Sequence, residues 1–340
     1  MNFKELIELY KPKIYSKICE YVPIKEPEGH YKIARDYIDR QGKYARPGLL
    51  MLSGRLFGAS EDELILPAAA QQLSEDWILM QDDLEDDSEL RRGKPSAHKI
   101  YGIVHTLNAS NIGNMAVWKM LKDYMLKYGN EKGNKLYNKF YDMIEYTIEG
   151  QYIENEFIHY TKNLNAASDE LYYRIAASKT CYYSVYGPLQ LGAIVADQPD
   201  STLEIFKNIG KNAGIAFQIA DDILDMTADE KLFGKKNFGD LYEGKVTLII
   251  TYTYQNATKE EKEKINQIYK KKRAEKTEDE IRFLRDMIEK YKGIEYARSV
   301  ANKYGNMATE AINENIDKLP QNEYTSIFSS AIKDLYIRNK

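Results

Sequence analysis

Leu73-Ser74-Glu75-Asp76-Trp77-Ile78-Leu79-Met80-Gln81-Asp82-Asp83-Leu84-Glu85-Asp86 carries two stripes at once. Leu73, Trp77, Met80 and Leu84 recur at spacings of four, three and four, the period of one face of an α-helix. Gln71, Glu75, Ile78, Asp82 and Asp86 form a second stripe, mostly polar, through the same sequence. At ~100° of rotation per residue, Asp82 and Asp86 share a face. Six acidic side chains fall between Asp82 and Glu89. They repel one another, and a helix tolerates this more readily when cations neutralise them. Hard cations such as magnesium take one or two carboxylates together with substrate phosphates, and aspartates at i and i+4 suit that task. The plain alternative is a solvated acidic face. Arg91-Arg92-Gly93-Lys94-Pro95 follows at once, and guanidinium forks there suit phosphate. That juxtaposition favours a metal–phosphate site.

Helical periodicity extends outward from this stretch. Segments 61–89, 106–128, 132–160, 168–196 and 202–227 each place apolar residues three and four apart. Gly58, the Arg91–Pro95 break, Gly129 and Gln198-Pro199-Asp200 mark the stops. Alternating strand patterns bounded by hairpin turns are missing. Leu248 to Tyr254 is rich enough in β-branched residues to imitate a strand, yet can open a helix. Residues 256–290 are highly charged and read as solvated helices near the surface. The expectation is one all-α domain over residues 1–340.

Composition narrows the function classes. The net charge of -4 gives no support for nucleic-acid binding. No apolar run approaches the ~20 residues of a membrane span. Met1-Asn2-Phe3-Lys4-Glu5 carries early charge and no apolar stretch, which argues against a secretory leader. Cys19 and Cys181 read as free thiols in a reducing cytoplasm. His30, His98, His105 and His159 are scattered, without metal-ligand spacing.

A second acidic motif, Asp221-Asp222-Ile223-Leu224-Asp225, begins 139 residues after Asp82. Ile209, Ala213, Ala216, Ala220 and Ile223 give its helix an apolar stripe, and Gln218 shares the face of Asp222 and Asp225. Gly234-Lys235 through Gly239-Asp240 and then Gly244-Lys245 follow. Glycines let such a loop approach a ligand, and lysines supply point charges for phosphate. The spacing is not that of a Walker loop. Two such motifs suggest facing walls of one site.

These features together resemble the trans-isoprenyl diphosphate synthase (polyprenyl synthetase) family. Gly42-Lys43-Tyr44-Ala45-Arg46-Pro47 is similar to its early G-K-x-x-R-P signature. Asp82–Asp86 with Arg91–Pro95 resembles its first aspartate-rich motif, Lys179-Thr180 its central pair, and Phe217–Asp225 its second motif. The order of signatures is the family's from about residue 40 to 250. The resemblance implies the isoprenoid synthase fold, antiparallel helices around a deep central active-site cavity, in a homodimer. It implies head-to-tail condensation of isopentenyl diphosphate with an allylic diphosphate (dimethylallyl, geranyl or farnesyl). In the implied layout Asp82, Asp86 and Asp222, with Asp83, Asp221 and Asp225 in support, hold three magnesium ions against the allylic diphosphate. Arg91, Lys179, Gln218, Lys235 and Lys245 contact that diphosphate, and Asp82, Asp86, Asp222, Lys179 and Lys235 are the implied catalytic set. Lys43, Arg46 and Arg92 bind isopentenyl diphosphate, and Thr180 shapes the site where the family's helix is distorted.

Position 75 departs from the family, which usually places His or Gln there to contact isopentenyl diphosphate. A carboxylate at Glu75 repels a diphosphate unless it is protonated or paired, with Lys43 or Arg46 as the partner. Trp77 and Ile78, five and four residues before Asp82, are the candidate floor of the chain-growth pocket. Ile78 lies ~40° from Asp82 around the helix and Trp77 ~140°. A bulky floor favours geranylgeranyl or farnesyl diphosphate over longer products. Two other readings stand beside this one: a non-catalytic regulatory subunit of a heteromeric synthase, and a terpene cyclase.

Overall fold

The computed structural model describes residues 1–227 and 238–336. Helices α1 (Phe3–Tyr21), α2 (Glu28–Asp39), α3 (Ala45–Leu56) and α4 (Glu61–Glu85) come first. Two short strands follow, β1 (Leu90–Arg91) and β2 (Lys94–Pro95). Then come α5 (Ala97–Tyr101), α6 (Ile103–Tyr128), α7 (Asn130–Asn155), α8 (Asp169–Ile175), α9 (Gly187–Val195) and α10 (Asp200–Thr227). The last helices are α11 (Gly239–Glu243), α12 (Leu248–Asn256), α13 (Lys259–Tyr269), α14 (Glu278–Lys290), α15 (Gly293–Asn315) and α16 (Glu323–Tyr336).

The expected all-α architecture is what forms, and Leu248–Asn256 is helix. Ser60 starts α4 with a capping box to Glu63, which satisfies orphan amide donors at the helix start. Helices α6 and α7 are separated by Gly129 alone, at φ 96°, and pack on each other as an antiparallel pair. Leu73, Trp77 and Met80 are buried as their stripe requires. One large core cluster joins α1–α4, α6, α7, α9 and the first half of α10. A second gathers the later part of α10 with α12–α14.

Two expectations need correction. The Arg91–Pro95 break is an antiparallel hairpin, Leu90 opposite Pro95 and Arg91 opposite Lys94. Arg92 and Gly93 turn it at φ 54° and 75°, the left-handed pair that a two-residue hairpin needs. Residues 256–290 are not simply solvated helices, because Ile265, Ile268, Tyr269, Ile281, Leu284 and Ile288 are all buried. Most of their charge covers the outer faces, while Lys276 is buried and donates to the Leu241 and Tyr242 carbonyls.

Candidate active site

Both acidic motifs end their helices: Asp82–Asp86 closes α4 and Asp221–Asp225 lies in the last turns of α10. The carbonyl end of a helix carries partial negative charge, so carboxylates there are disfavoured unless cations answer them. Two lysines do. Lys179 Nζ lies 3.0 Å from Asp82 Oδ1 and also bonds Glu154. Lys245 Nζ lies 3.0 Å from Asp86 Oδ2, 2.6 Å from Glu243 and 3.8 Å from Asp240. Asp82, Asp86, Arg91, Asp225, Asp240, Glu243, Lys245 and Arg273 line one cleft.

The carboxyls differ in their proton affinity. Burial disfavours the charge of Asp82, but Lys179, Lys245 and Arg91 outweigh it and hold the group well below the usual carboxylate range. Burial pushes Asp86 up to about 7 despite Lys245, with Glu243 and Asp82 adding to the rise. Burial likewise pushes Asp222 up to about 7, although Gln218 and Tyr172 donate to it at 2.8 Å each. Asp225 accepts from the amides of Gly239 and Asp240 at 3.2 Å each, which anchors α11 to the end of α10.

Lys179 and Thr180 sit in a π-helical stretch, Ala176–Tyr186, the kind of wide turn often found at functional sites. It packs against α7 at Gly150, where an added Cβ would lie 2.6 Å from the Lys179 amide nitrogen. That close approach brings Glu154 and Gln151 to the cleft. Gln151 donates to Asp82 at 3.1 Å and to Glu85 at 2.7 Å, and Asn155 donates to Glu85. Thr180 Oγ1 donates to Gln218 at 2.6 Å, joining the π-helix to the second motif.

Asp83 points elsewhere. It is fully buried and accepts from Arg91 Nε at 2.9 and 3.0 Å and from Tyr37 at 2.6 Å. Arg91 also comes within 3.5 Å of Asp82. Arg46 pairs with Glu75 at 3.1 Å, donates to Ser184 and lies over the Tyr183 ring. Arg92 bonds Asp76 at 2.9 Å and lies 3.9 Å from the same Glu75 oxygen. Glu75 is therefore paired, with Arg46 and Arg92 in place of the Lys43 alternative, and Lys43 is exposed. Trp77 packs in the core against Gly113, and Ile78 is half-buried. Lys235 lies outside the described residues.

Sequence reasoning missed Gln151, Glu154, Asn155, Tyr172 and Glu243. The spacing of Gln151, Glu154 and Asn155, three and four apart, was the available signal. Nothing local marked Tyr172.

The polyprenyl synthetase family model matches residues 27–287. The chain belongs to this family. As a polyprenyl synthetase it is a trans-prenyltransferase. It is 30% identical to the geranylgeranyl diphosphate synthase of Sulfolobus acidocaldarius over 312 residues, 92% of this chain and 91% of that one. It is 32% identical over 225 residues to the geranylfarnesyl diphosphate synthase of Aeropyrum pernix, 65% of this chain and 69% of that one. The geranylgeranyl pyrophosphate synthetase structure from Pyrococcus horikoshii superposes at a TM-score of 0.84, with 28% identity and 99% of each chain covered. This likeness identifies the helical bundle as the isoprenoid synthase fold.

Proposed function

We propose that this polyprenyl synthetase condenses isopentenyl diphosphate with an allylic diphosphate and stops at geranylgeranyl or farnesyl diphosphate. The observation that carries this reading is the pair of acidic helix ends lining one cleft, with Lys179 on Asp82 and Lys245 on Asp86 of the first. Asp82, Asp86 and Asp222 would hold magnesium, with Asp221 and Asp225 nearby, and three ions is our reading of the stoichiometry. The residues fit the ion: all are hard oxygen donors, and Asp86 Oδ1 is buried with no hydrogen-bond partner. Once bound, magnesium supplies Lewis-acid stabilisation of the departing diphosphate.

This chain's own groups supply the rest. Lys179, Lys245 and Arg91 stabilise negative charge as the allylic C–O bond breaks and its electron pair leaves with the diphosphate. Thr180 and Gln218 orient that end of the substrate. The isopentenyl double bond then attacks the allylic carbon, and the released diphosphate takes the proton whose loss from the resulting cation restores the alkene. Arg46 and Arg92 hold the second diphosphate, with Lys43 at the rim. Asp83 is better placed to fix Arg91 than to ligate metal.

Trp77 is the product-length determinant in this reading, with Ile78 beside it. Trp77→Ala is expected to lengthen the product by at least one C5 unit, read by chromatography of dephosphorylated products; an unchanged profile contradicts the floor role. We also propose a homodimer. Val104, Met115, Leu126, Ile148 and Tyr152 leave an exposed apolar series along α6 and α7, more than an isolated surface would favour. Light scattering should return twice the chain mass, and the single-chain mass would refute it. Because α10 contributes to both core clusters, we read the chain as one domain. Its free cysteines suit a reducing cytoplasm.

The deciding assay supplies purified protein with magnesium, labelled isopentenyl diphosphate and each allylic primer in turn. Elongation by the protein alone supports the proposal. A cyclic hydrocarbon, or silence until a partner is added, would overturn it.

A further inference from the structure

One turn of α2 holds the arginine hairpin at three points. Tyr37 is fully buried, its ring packed with Met80 and Ala97 and covered by the Arg40 guanidinium at 4.9 Å. Its hydroxyl donates to Asp83 Oδ2 at 2.6 Å and accepts from the Ala97 amide at 3.1 Å. Asp83 in turn takes the Arg91 guanidinium through both oxygens. The backbone carbonyl of the same Tyr37 accepts from Arg92 Nη1 at 2.5 Å. Arg40 completes the set by donating to the Arg91 carbonyl at 3.0 Å. Arg40 is itself paired with Asp36, which accepts from Tyr101 at 2.6 Å.

Two arginines that are neighbours in sequence serve opposite ends of the site. Arg91 faces the Asp82 cleft, and Arg92 faces Glu75 and Asp76. Tyr37 touches both systems, but through different atoms. We infer that Tyr37 is a positioning residue whose hydroxyl fixes Arg91, through Asp83, at the metal–diphosphate end, while its carbonyl independently fixes Arg92 at the second diphosphate end. This rests on the proposed prenyl-transfer reading for which ligand each end takes.

The separation into side chain and main chain makes the inference testable. Tyr37→Phe keeps the ring, its packing and the carbonyl, and removes only the hydroxyl. The buried Asp83 carboxylate then loses a donor, and the guanidinium it steers is held less firmly. Hydrogen bonds to charged groups contribute modestly but measurably, so the first end should weaken about three- to tenfold while the second stays within about twofold. Calorimetry reads the two ends apart: inorganic pyrophosphate with magnesium probes the first, and isopentenyl diphosphate without metal probes the second. The expected result is weaker magnesium–pyrophosphate binding with isopentenyl diphosphate binding unchanged. In turnover, KM for the allylic substrate should rise alone. Asp83→Asn should give the same pattern, and the double variant should not add to it, because both act through one contact. Equal weakening at both ends, no change at either, or a loss confined to isopentenyl diphosphate would each overturn the proposal. If no primer is elongated at all, the prenyl-transfer reading fails, whereas the two calorimetric constants still decide the role of Tyr37.

Discussion

Alanine at Asp82 or at Asp222 is expected to lower turnover at least ~100-fold, the scale of losing one preorganised electrostatic group. Asp82 is where Lys179, Gln151 and Arg91 converge from three separate segments. Its cationic neighbours favour its charged form despite burial. Asp222 is fixed from two sides, by Tyr172 on α8 and by Gln218 on its own helix. Neither substitution should collapse the surrounding geometry. Lys179 keeps its bond to Glu154 when Asp82 is gone, and Gln218 keeps its bond from Thr180 when Asp222 is gone. The loss therefore reports the carboxylate itself. Steady-state turnover at saturating magnesium is the measurement, and undiminished activity in either variant would contradict the assigned roles.

The helices and the acidic stripe were legible because each is a local pattern. Leu73, Trp77 and Met80 repeat with the helical period, and burial follows the stripe. Asp82 and Asp86 share a face for the same reason, and their cleft forms where both motifs end. What stayed hidden depends on longer-range or very short structure. A hairpin of two residues per strand is too brief to show alternation, so the turn at Arg92-Gly93 read only as a break. Asp83 looked like part of the acidic cluster, but it lies ~100° around the helix from Asp82 and faces Arg91 and Tyr37. Tyr172 reaches Asp222 across 50 residues of chain, and no periodicity encodes such a meeting. The charge of 256–290 masked its buried isoleucines, since an amphipathic helix with a narrow apolar face is mostly polar in composition.

Glutamine at Glu75 is expected to lower KM for isopentenyl diphosphate about tenfold, a modest share of what like-charge juxtaposition costs. The second-substrate end offers two guanidiniums, and both are already answered. Glu75 Oε1 takes Arg46 at 3.1 Å and stands 3.9 Å from Arg92, while Asp76 takes Arg92 at 2.9 Å. An incoming diphosphate must displace Glu75 or bind beside it. The same cluster sets a pH dependence. Burial pushes Asp76 up to about 7, with Arg92 opposing and Glu75 adding to the rise. A diphosphate between the two arginines adds negative charge and favours the protonated acid further. The bound state then holds more protons than the free state, so affinity falls as pH rises above 7, by at most ~tenfold per pH unit for one proton. Tyr44 and Tyr183, which also face the cluster, do not titrate in this window, because burial raises both hydroxyls far above it. The substrate's own ionisation has the opposite sign, since arginines bind a more highly charged diphosphate more tightly. The Asp76 linkage is expected to raise KM between pH 7 and pH 8 in the unaltered protein, a rise that substrate ionisation cannot produce. The rise should weaken in Glu75→Gln and vanish when Asp76→Asn is added. A KM that falls over this range, or one that Glu75→Gln leaves unchanged or raises, would show that the carboxylate pair does not compete with the diphosphate.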